Sequence, residues 1–184
     1  MIEVADSVKL RKYKEEDAAE LFALVTANRA YIRPWLTWVD ATRRQEDSLE
    51  YIRQANHLAK IQEGLALAIE VEGKIAGSIA MHHWHHETKR AQVGYWLSHH
   101  LEGKGIMNVC LGSFLGFLFT DIGLNKIELH HLTENKRSAA LAKRTGFVTE
   151  GIIRQSTWLN GRLQDVVVQG LLRSEWQLLH RKTV

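Results

Sequence analysis

Apolar and polar positions alternate with a period of two in several short runs, and with a period near 3.6 between them. Val8-Lys9-Leu10-Arg11-Lys12-Tyr13 alternates and predicts a strand. Glu15-Glu16-Asp17 then opens a helix whose acids suit its N-terminus, with Leu21, Phe22, Leu24 and Val25 as its apolar face. Residues 29–39 read as a second short helix or a loop. A longer helix from about Gln45 to Gln62 follows, with Gly64 as its C-cap. Leu65 to Val71 and Ile75 to about Trp84 form a hairpin around Glu72-Gly73-Lys74. Gln92 to Ser98 is a strand, Gly105 to Asp121 a helix ending at Gly123, and Lys126 to Leu132 a strand. Asn135 to Thr145 is a helix ending at Gly146. Phe147 to Leu159 and Leu163 to Leu172 flank Asn160-Gly161, two residues that tolerate positive φ and so favour a tight hairpin. A short terminal helix carries Trp176.

This order predicts one mixed α/β (α+β) domain over residues 1–184. Hairpins dominate, so the sheet is mostly antiparallel. A crossover helix between the strands at 92–98 and 126–132 lets those two run parallel.

Composition narrows the function classes. The 184 residues are 45% hydrophobic and 24% charged, ordinary values for a globular protein. A single cysteine, Cys110, excludes an intrachain disulfide and fits a reducing cytoplasm. Met1-Ile2-Glu3-Val4-Ala5-Asp6 lacks the apolar run of a secretory signal. The longest apolar stretch, Ile106 to Phe119, is broken by polar residues and falls short of the roughly 20 residues that span a bilayer. No membrane role is expected. The net charge of +3 is spread along the chain rather than gathered in a stripe, so a nucleic-acid partner is not expected either.

The chemistry concentrates in Gly94-Tyr95-Trp96-Leu97-Ser98-His99-His100-Leu101-Glu102-Gly103-Lys104-Gly105-Ile106-Met107-Asn108. A strand runs into a glycine-containing loop that opens an apolar helix. The first amides of a helix lack internal partners and lie at the positive end of its dipole, which makes an anion site. Gly103 and Gly105 allow backbone to approach the anion. The pattern fits neither the P-loop nor the dinucleotide fingerprint, which needs a third glycine where Asn108 stands. A bare Gly-x-Gly can equally be a turn.

The same segment resembles motif A of the GNAT acetyltransferases, Gln/Arg-x-x-Gly-x-Gly/Ala, with His100 in place of the usual Gln or Arg. Ala91-Gln92-Val93-Gly94-Tyr95-Trp96-Leu97, then Asn135 with Ser138 and Gly146-Phe147, then Glu150-Gly151 and Trp158-Leu159-Asn160-Gly161 with Asp165-Val166, resemble RimL-like members in the same order. The resemblance implies the GNAT fold. That is a twisted, mostly antiparallel sheet of six to seven strands flanked by helices, with a splayed parallel pair at its centre. It implies acetyl-CoA as cosubstrate and transfer of its acetyl group to a primary amine. It places the pyrophosphate on Gly103, Lys104, Gly105, Ile106, Met107 and Asn108, and the pantetheine arm on Leu97 and Asn135. It gives Ser138 the role of protonating the leaving thiolate, where the plain alternative is a capping residue. RimL-like relatives carry a glutamate two residues before the Leu-Asn-Gly turn. This chain has Thr157 there, so the base is Glu150, His130, His131 or Gln92 through water, or none is needed.

The acceptor implied is a protein N-terminal α-amine, such as that of a ribosomal protein. The alternatives are a small amine (antibiotic, aminoacyl-nucleotide or polyamine) or a non-catalytic acyl-CoA sensor. A cytoplasmic homodimer is also implied. Trp35 and Trp38 sit three apart just after Pro34, where they border the acceptor groove or anchor a short helix. His82-His83-Trp84-His85-His86 carries too few converging ligands for a metal site, since strand neighbours His82 and His83 point to opposite faces.

Overall fold

The computed structural model describes residues 1–181. Among them one sheet runs in the order β1-β2-β3-β4-β5-β6-β8-β7. Its strands are β1 (Ile2–Ala5), β2 (Val8–Lys12), β3 (Leu65–Val71), β4 (Lys74–His85), β5 (Arg90–Leu97), β6 (Lys126–Leu132), β7 (Val148–Leu159) and β8 (Arg162–Leu172). Every neighbouring pair is antiparallel except β5 and β6. The mixed architecture with one central parallel pair is as the pattern predicts. The sheet has eight strands rather than six to seven. The additional strand is β1, whose Ile2 and Val4 pack on the core while Glu3 and Ala5 face out. Four residues containing an acid are too short a run for alternation to announce them.

Five α-helices cover the described sheet: α1 (Ala18–Ile32), α2 (Gln45–Lys60), α3 (Ile106–Thr120), α4 (Lys136–Arg144) and α5 (Arg173–Arg181). Glu15–Asp17 forms a 3₁₀ turn ahead of α1 rather than its first turn. Residues 29–39 divide between the end of α1 and a 3₁₀ turn at Thr37–Asp40. Helix α2 stops at Lys60, and the left-handed residue after it is Gln62 at φ 59°, not Gly64. The Glu63 amide bonds the Leu58 carbonyl there, so the chain reverses before the glycine is reached.

The two faces of the sheet carry separate cores. Phe114, Phe119, Leu111 and Leu118 of α3 pack on Ile79, Met81, Val93 and Leu129. Leu21 and Val25 of α1 and Ile52 of α2 pack with Tyr13, Ala68 and Ile75 on the opposite face. Period-two alternation along β5 follows directly, because Val93 faces α3 while Trp96 faces α1.

A buried charge cluster ties β2 and β3 to the start of α1. The Arg11 guanidinium donates to Asp17 at 2.7 and 3.0 Å and to Glu70, while Lys9 holds Glu70 at 2.9 Å. The two carboxylates are only 10% and 8% exposed. Burial alone would raise Asp17, but its bonds to Arg11 and Lys14 outweigh that and lower it. Bonds to Arg11 and then Lys9 lower Glu70. Arg11→Ala therefore strands two buried acids and is expected to cost about 3–5 kcal/mol in urea unfolding. Depressed carboxylates stabilise above their unfolded pKa of about 4 and lose that contribution as pH falls. The wild type should lose more stability than Arg11→Ala between pH 6 and pH 3.

Candidate active site

Strands β5 and β6 pair from Arg90 with Lys126 to Val93 with Leu129, and then separate. Beyond that point β5 continues to Leu97 on β4 alone, and β6 continues to Leu132 on β8 alone. A cleft of about 710 Å³ opens in the gap. It reaches from the splayed strands to the loop before α3, and α4 closes its side.

That loop turns through Gly103 at φ 71° and Gly105 at φ 77°, a left-handed region costly to side-chain-bearing residues. Apart from the adjoining residues, no heavy atom of the described chain lies within 4 Å of where a Cβ would stand on either glycine. Gly105 caps α3, and its carbonyl takes the amides of Asn108 and Val109. Among the described residues, the successive amides of Gly103 to Met107 have no acceptor. Buried Asn108 Oδ1 likewise has no partner. Unsatisfied amides at the positive end of a helix form a nest for an anion. The one acid in the loop, Glu102, is neutralised by Arg137 of α4 and accepts from the Tyr31 hydroxyl of α1. Arg137 also lies 4.9 Å over the Tyr31 ring.

Asn135 caps α4, and its Oδ1 accepts from the Ser138 amide at 3.0 Å. The Ser138 hydroxyl meets the Tyr95 hydroxyl at 3.0 Å. Burial pushes Tyr95 up to about 12 against the pull of the Ser138 bond, so both hydroxyls carry protons at neutral pH. Sequence reading missed Tyr95. The signal was its period-two relation to Val93 and Leu97, which turns it towards α4.

Of the residues singled out in the sequence, Leu97, Gly103, Gly105, Ile106, Met107 and Asn108 line the cleft. Asn135, Ser138 and Trp35 line it too. Lys104 and Trp38 do not. Lys104 is exposed beside the loop, and Trp38 packs on Trp96 at 6.0 Å with 39% of its surface open. Trp35 is held near the hairpin tip by a bond from Asn160 Nδ2 to the Pro34 carbonyl at 3.3 Å. Thr157 pairs with Gln164 beside an irregular step in the β7–β8 ladder and does not line the cleft.

The proposed base candidates are distributed unevenly. His130 and His131 line the cleft, whereas Glu150 is occupied by Lys126 at 2.6 Å. Gln92 accepts or shares a contact with His83 at 3.1 Å. His82 and His83 do not point to opposite faces as strand geometry suggests. His83 adopts φ 50° within a bulge between His82 and His85, and the two Nδ1 atoms come within 2.9 Å. Desolvation, then charge on His83 and His130, push His82 down to about 4, although it keeps an exposed edge.

Comparison with known proteins agrees with this geometry. Residues 7–148 match the model of the acetyltransferase (GNAT) domain. The chain is 28% identical to the N-acetyltransferase YdaF of Bacillus subtilis (strain 168) over 179 residues, 95% of this chain and 96% of that protein. It superimposes on RimL, a ribosomal L7/L12 alpha-N-protein acetyltransferase solved with coenzyme A, with a TM-score of 0.90. That pair shares 25% identity, covering 93% of this chain and 97% of RimL. The microcin C7 self-immunity acetyltransferase MccE, solved with acetyl-CoA and AMP, gives a TM-score of 0.87 at 28% identity over 92% and 94% of the two chains. The chain thus belongs to the GNAT acetyltransferase family, as an acetyl-CoA-dependent N-acetyltransferase.

Proposed function

We propose that the acceptor is the N-terminal α-amine of a protein, such as a ribosomal protein. One observation carries this reading. Among the described residues lining the cleft, the only carboxylate is Glu102, and Arg137 and Tyr31 already engage it. The remaining ionisable lining includes Arg137, Arg144, His130 and His131. A polycationic amine would meet cations there. An α-amine, with a pKa of about 8, is roughly one-tenth neutral at pH 7, while a lysine amine near 10.4 is under about a thousandth neutral. A site without a free carboxylate suits the former. The relationship to RimL, whose acceptor is a ribosomal protein, supports the same class. Trp35 in the cleft favours an aminoacyl-nucleotide as the second reading, because its ring offers a face on which a base can stack.

In this reading the amides of Gly103 to Met107, with Asn108, hold the pyrophosphate, and Lys104 adds charge from outside the cleft. Leu97 and Asn135 flank the pantetheine arm, Trp35 borders the acceptor, and Trp38 supports that border through Trp96. Bound acetyl-CoA supplies a thioester whose sulfur leaves as a thiolate. Ser138 gives that sulfur its proton, and Tyr95 is placed to replace it. Residues 1–184 act as one domain in the cytoplasm. The protein pairs as a homodimer through the outer edge of β7, where Ile152, Ile153 and Trp158 are exposed, Trp158 by 64%.

Gly105→Val is expected to weaken acetyl-CoA binding at least tenfold by calorimetry, about 1.4 kcal/mol, with the fold retained. Unchanged affinity would remove the pyrophosphate assignment. In a mass-spectrometric screen of N-terminal peptides, lysine peptides, polyamines and aminoacyl-nucleotides at pH 7, Ser-initiated peptides should outpace lysine peptides by more than tenfold. Equal rates would end the α-amine reading, and transfer only to aminoacyl-nucleotides would establish the alternative. In the same assay Ser138→Ala should lower kcat about 10²–10⁴-fold with cofactor affinity intact. Light scattering at micromolar concentration should give twice the mass of one chain, and Trp158→Asp should halve it.

A further inference from the structure

We infer that His130, oriented by the buried carboxylate of Glu128, is the group that takes the proton from the acceptor amine. This rests on the α-amine reading above and names the base that reading leaves open.

The sheet face turned towards α1 and α2 carries a polar row just below the splay. Gln92 of β5 stands beside Glu128 of β6, and His82 of β4 stands across from Gln92. His130 lies two residues beyond Glu128 on the same face, just past the last β5–β6 pair and opposite Val168 of β8. It is the member of this row that lines the cleft.

Its two ring nitrogens have different surroundings. Nε2 is buried, makes no hydrogen bond, and lies 3.4 Å from Glu128 Oε2. Nδ1 has no partner among the described residues and is not among the buried atoms. The Glu128 side chain is 6% exposed, and its other oxygen takes Arg90 at 2.9 Å and Lys126 at 3.3 Å. Burial raises Glu128, but Arg90 and Lys126 outweigh it, so the carboxylate remains ionised at neutral pH. An anion facing Nε2 holds the proton on that nitrogen. The lone pair is then left on Nδ1, at the open edge of the ring. A carboxylate that fixes a histidine tautomer in this way is a positioning residue. Two groups act on this pair from neighbouring strands. His82 faces it from β4 and resists protonation. Gln92 faces it from β5 and carries no charge.

The proton balance is complete. The ammonium of the acceptor gives one proton to the Nδ1 lone pair, leaving a neutral amine and an imidazolium paired with Glu128. The amine nitrogen forms the new bond to the acetyl carbon as the carbon–sulfur bond breaks. The electron pair leaves on sulfur, which Ser138 protonates, and the second proton of the attacking nitrogen, shed as the amide forms, restores the Ser138 hydroxyl through the Tyr95 hydroxyl 3.0 Å away. The imidazolium returns its proton to solvent. An imidazole, ordinarily near pKa 6.5, suits an α-amine of about 8 and is a poor match for a lysine amine near 10.4. The base and the acceptor class therefore agree.

The test uses His130→Gln and Glu128→Gln with a Ser-initiated peptide, after acetyl-CoA affinity and thermal unfolding confirm that both variants are folded. Wild-type kcat/KM should rise through the range where an imidazole loses its proton and then level off. His130→Gln should lose about 10²-fold at pH 7, and its rise should move up to the pKa of the peptide amine, about 8. In the free protein, imidazole nitrogen NMR should show His130 as the Nε2–H tautomer, and Glu128→Gln should abolish that preference. A wild-type rate and profile in His130→Gln, or an Nδ1–H tautomer in the wild type, overturns the assignment. A wild type that acetylates small amines but no N-terminal peptide overturns the acceptor instead. The variant comparison is then made on the accepted amine, with the same outcomes deciding for or against His130.

Discussion

Four residue pairs, from Arg90 with Lys126 to Val93 with Leu129, join β5 to β6 before the strands part. The separation leaves backbone without a strand partner along one edge of each strand. Such groups are expensive to bury unless something else satisfies them. The fold tolerates it because each strand keeps its other neighbour. β5 remains on β4 as far as Leu97 with Gly77, and β6 remains on β8 as far as Leu132 with Val166. The cleft is therefore a controlled gap in an otherwise continuous ladder. A ligand with its own amides, such as the pantetheine arm, can take the place of the missing pairing.

The helix that anchors the core also makes the anion site. Helix α3 buries Cys110, Leu111, Phe114, Leu115, Leu118 and Phe119. Removing one large side chain such as Phe114 would cost about 3–5 kcal/mol, so the axis of α3 is firmly set. Its N-terminus is consequently fixed at the mouth of the cleft, with its first amides pointing at open space. The acid in the loop would repel an anion if it stood alone. Arg137 cancels that charge and links the loop to α4, which carries Ser138. Charge balance and positioning of the hydroxyl are thus the same contact.

The sequence made the elements and the loop legible because local signals fix them. Gly105 and Gly146 mark helix ends by their positive φ, Asn160-Gly161 marks a hairpin, and the alternation of β5 assigns its faces. What escaped depends on contacts distant in sequence. Tyr95 meets Ser138 across 43 positions, and Glu102 meets Tyr31 across 71. The His82–His83 arrangement escaped for a different reason. Period-two reasoning assumes a regular strand, and a bulge rotates one residue out of it. Trp38 is close to Trp35 in sequence, yet the 3₁₀ turn at Thr37–Asp40 places it on Trp96 instead of in the cleft.

The row of charge on the α1 and α2 side of the sheet carries a desolvation cost. Glu128 is held among Arg90, Lys126 and His130 where an apolar side chain would pack with less desolvation. Buried ion pairs of this kind seldom add net stability, and apolar replacements of similar volume are often neutral or better. The Arg11 cluster on β2 and β3 at least joins three segments of chain. The Glu128 cluster joins mainly strands that the ladder already holds, with Lys126 extending it to Glu150 of β7. Its structural return is small for its desolvation cost. Its position, one step below the splay and beside a histidine that opens on the cleft, accounts for that cost through chemistry instead of stability.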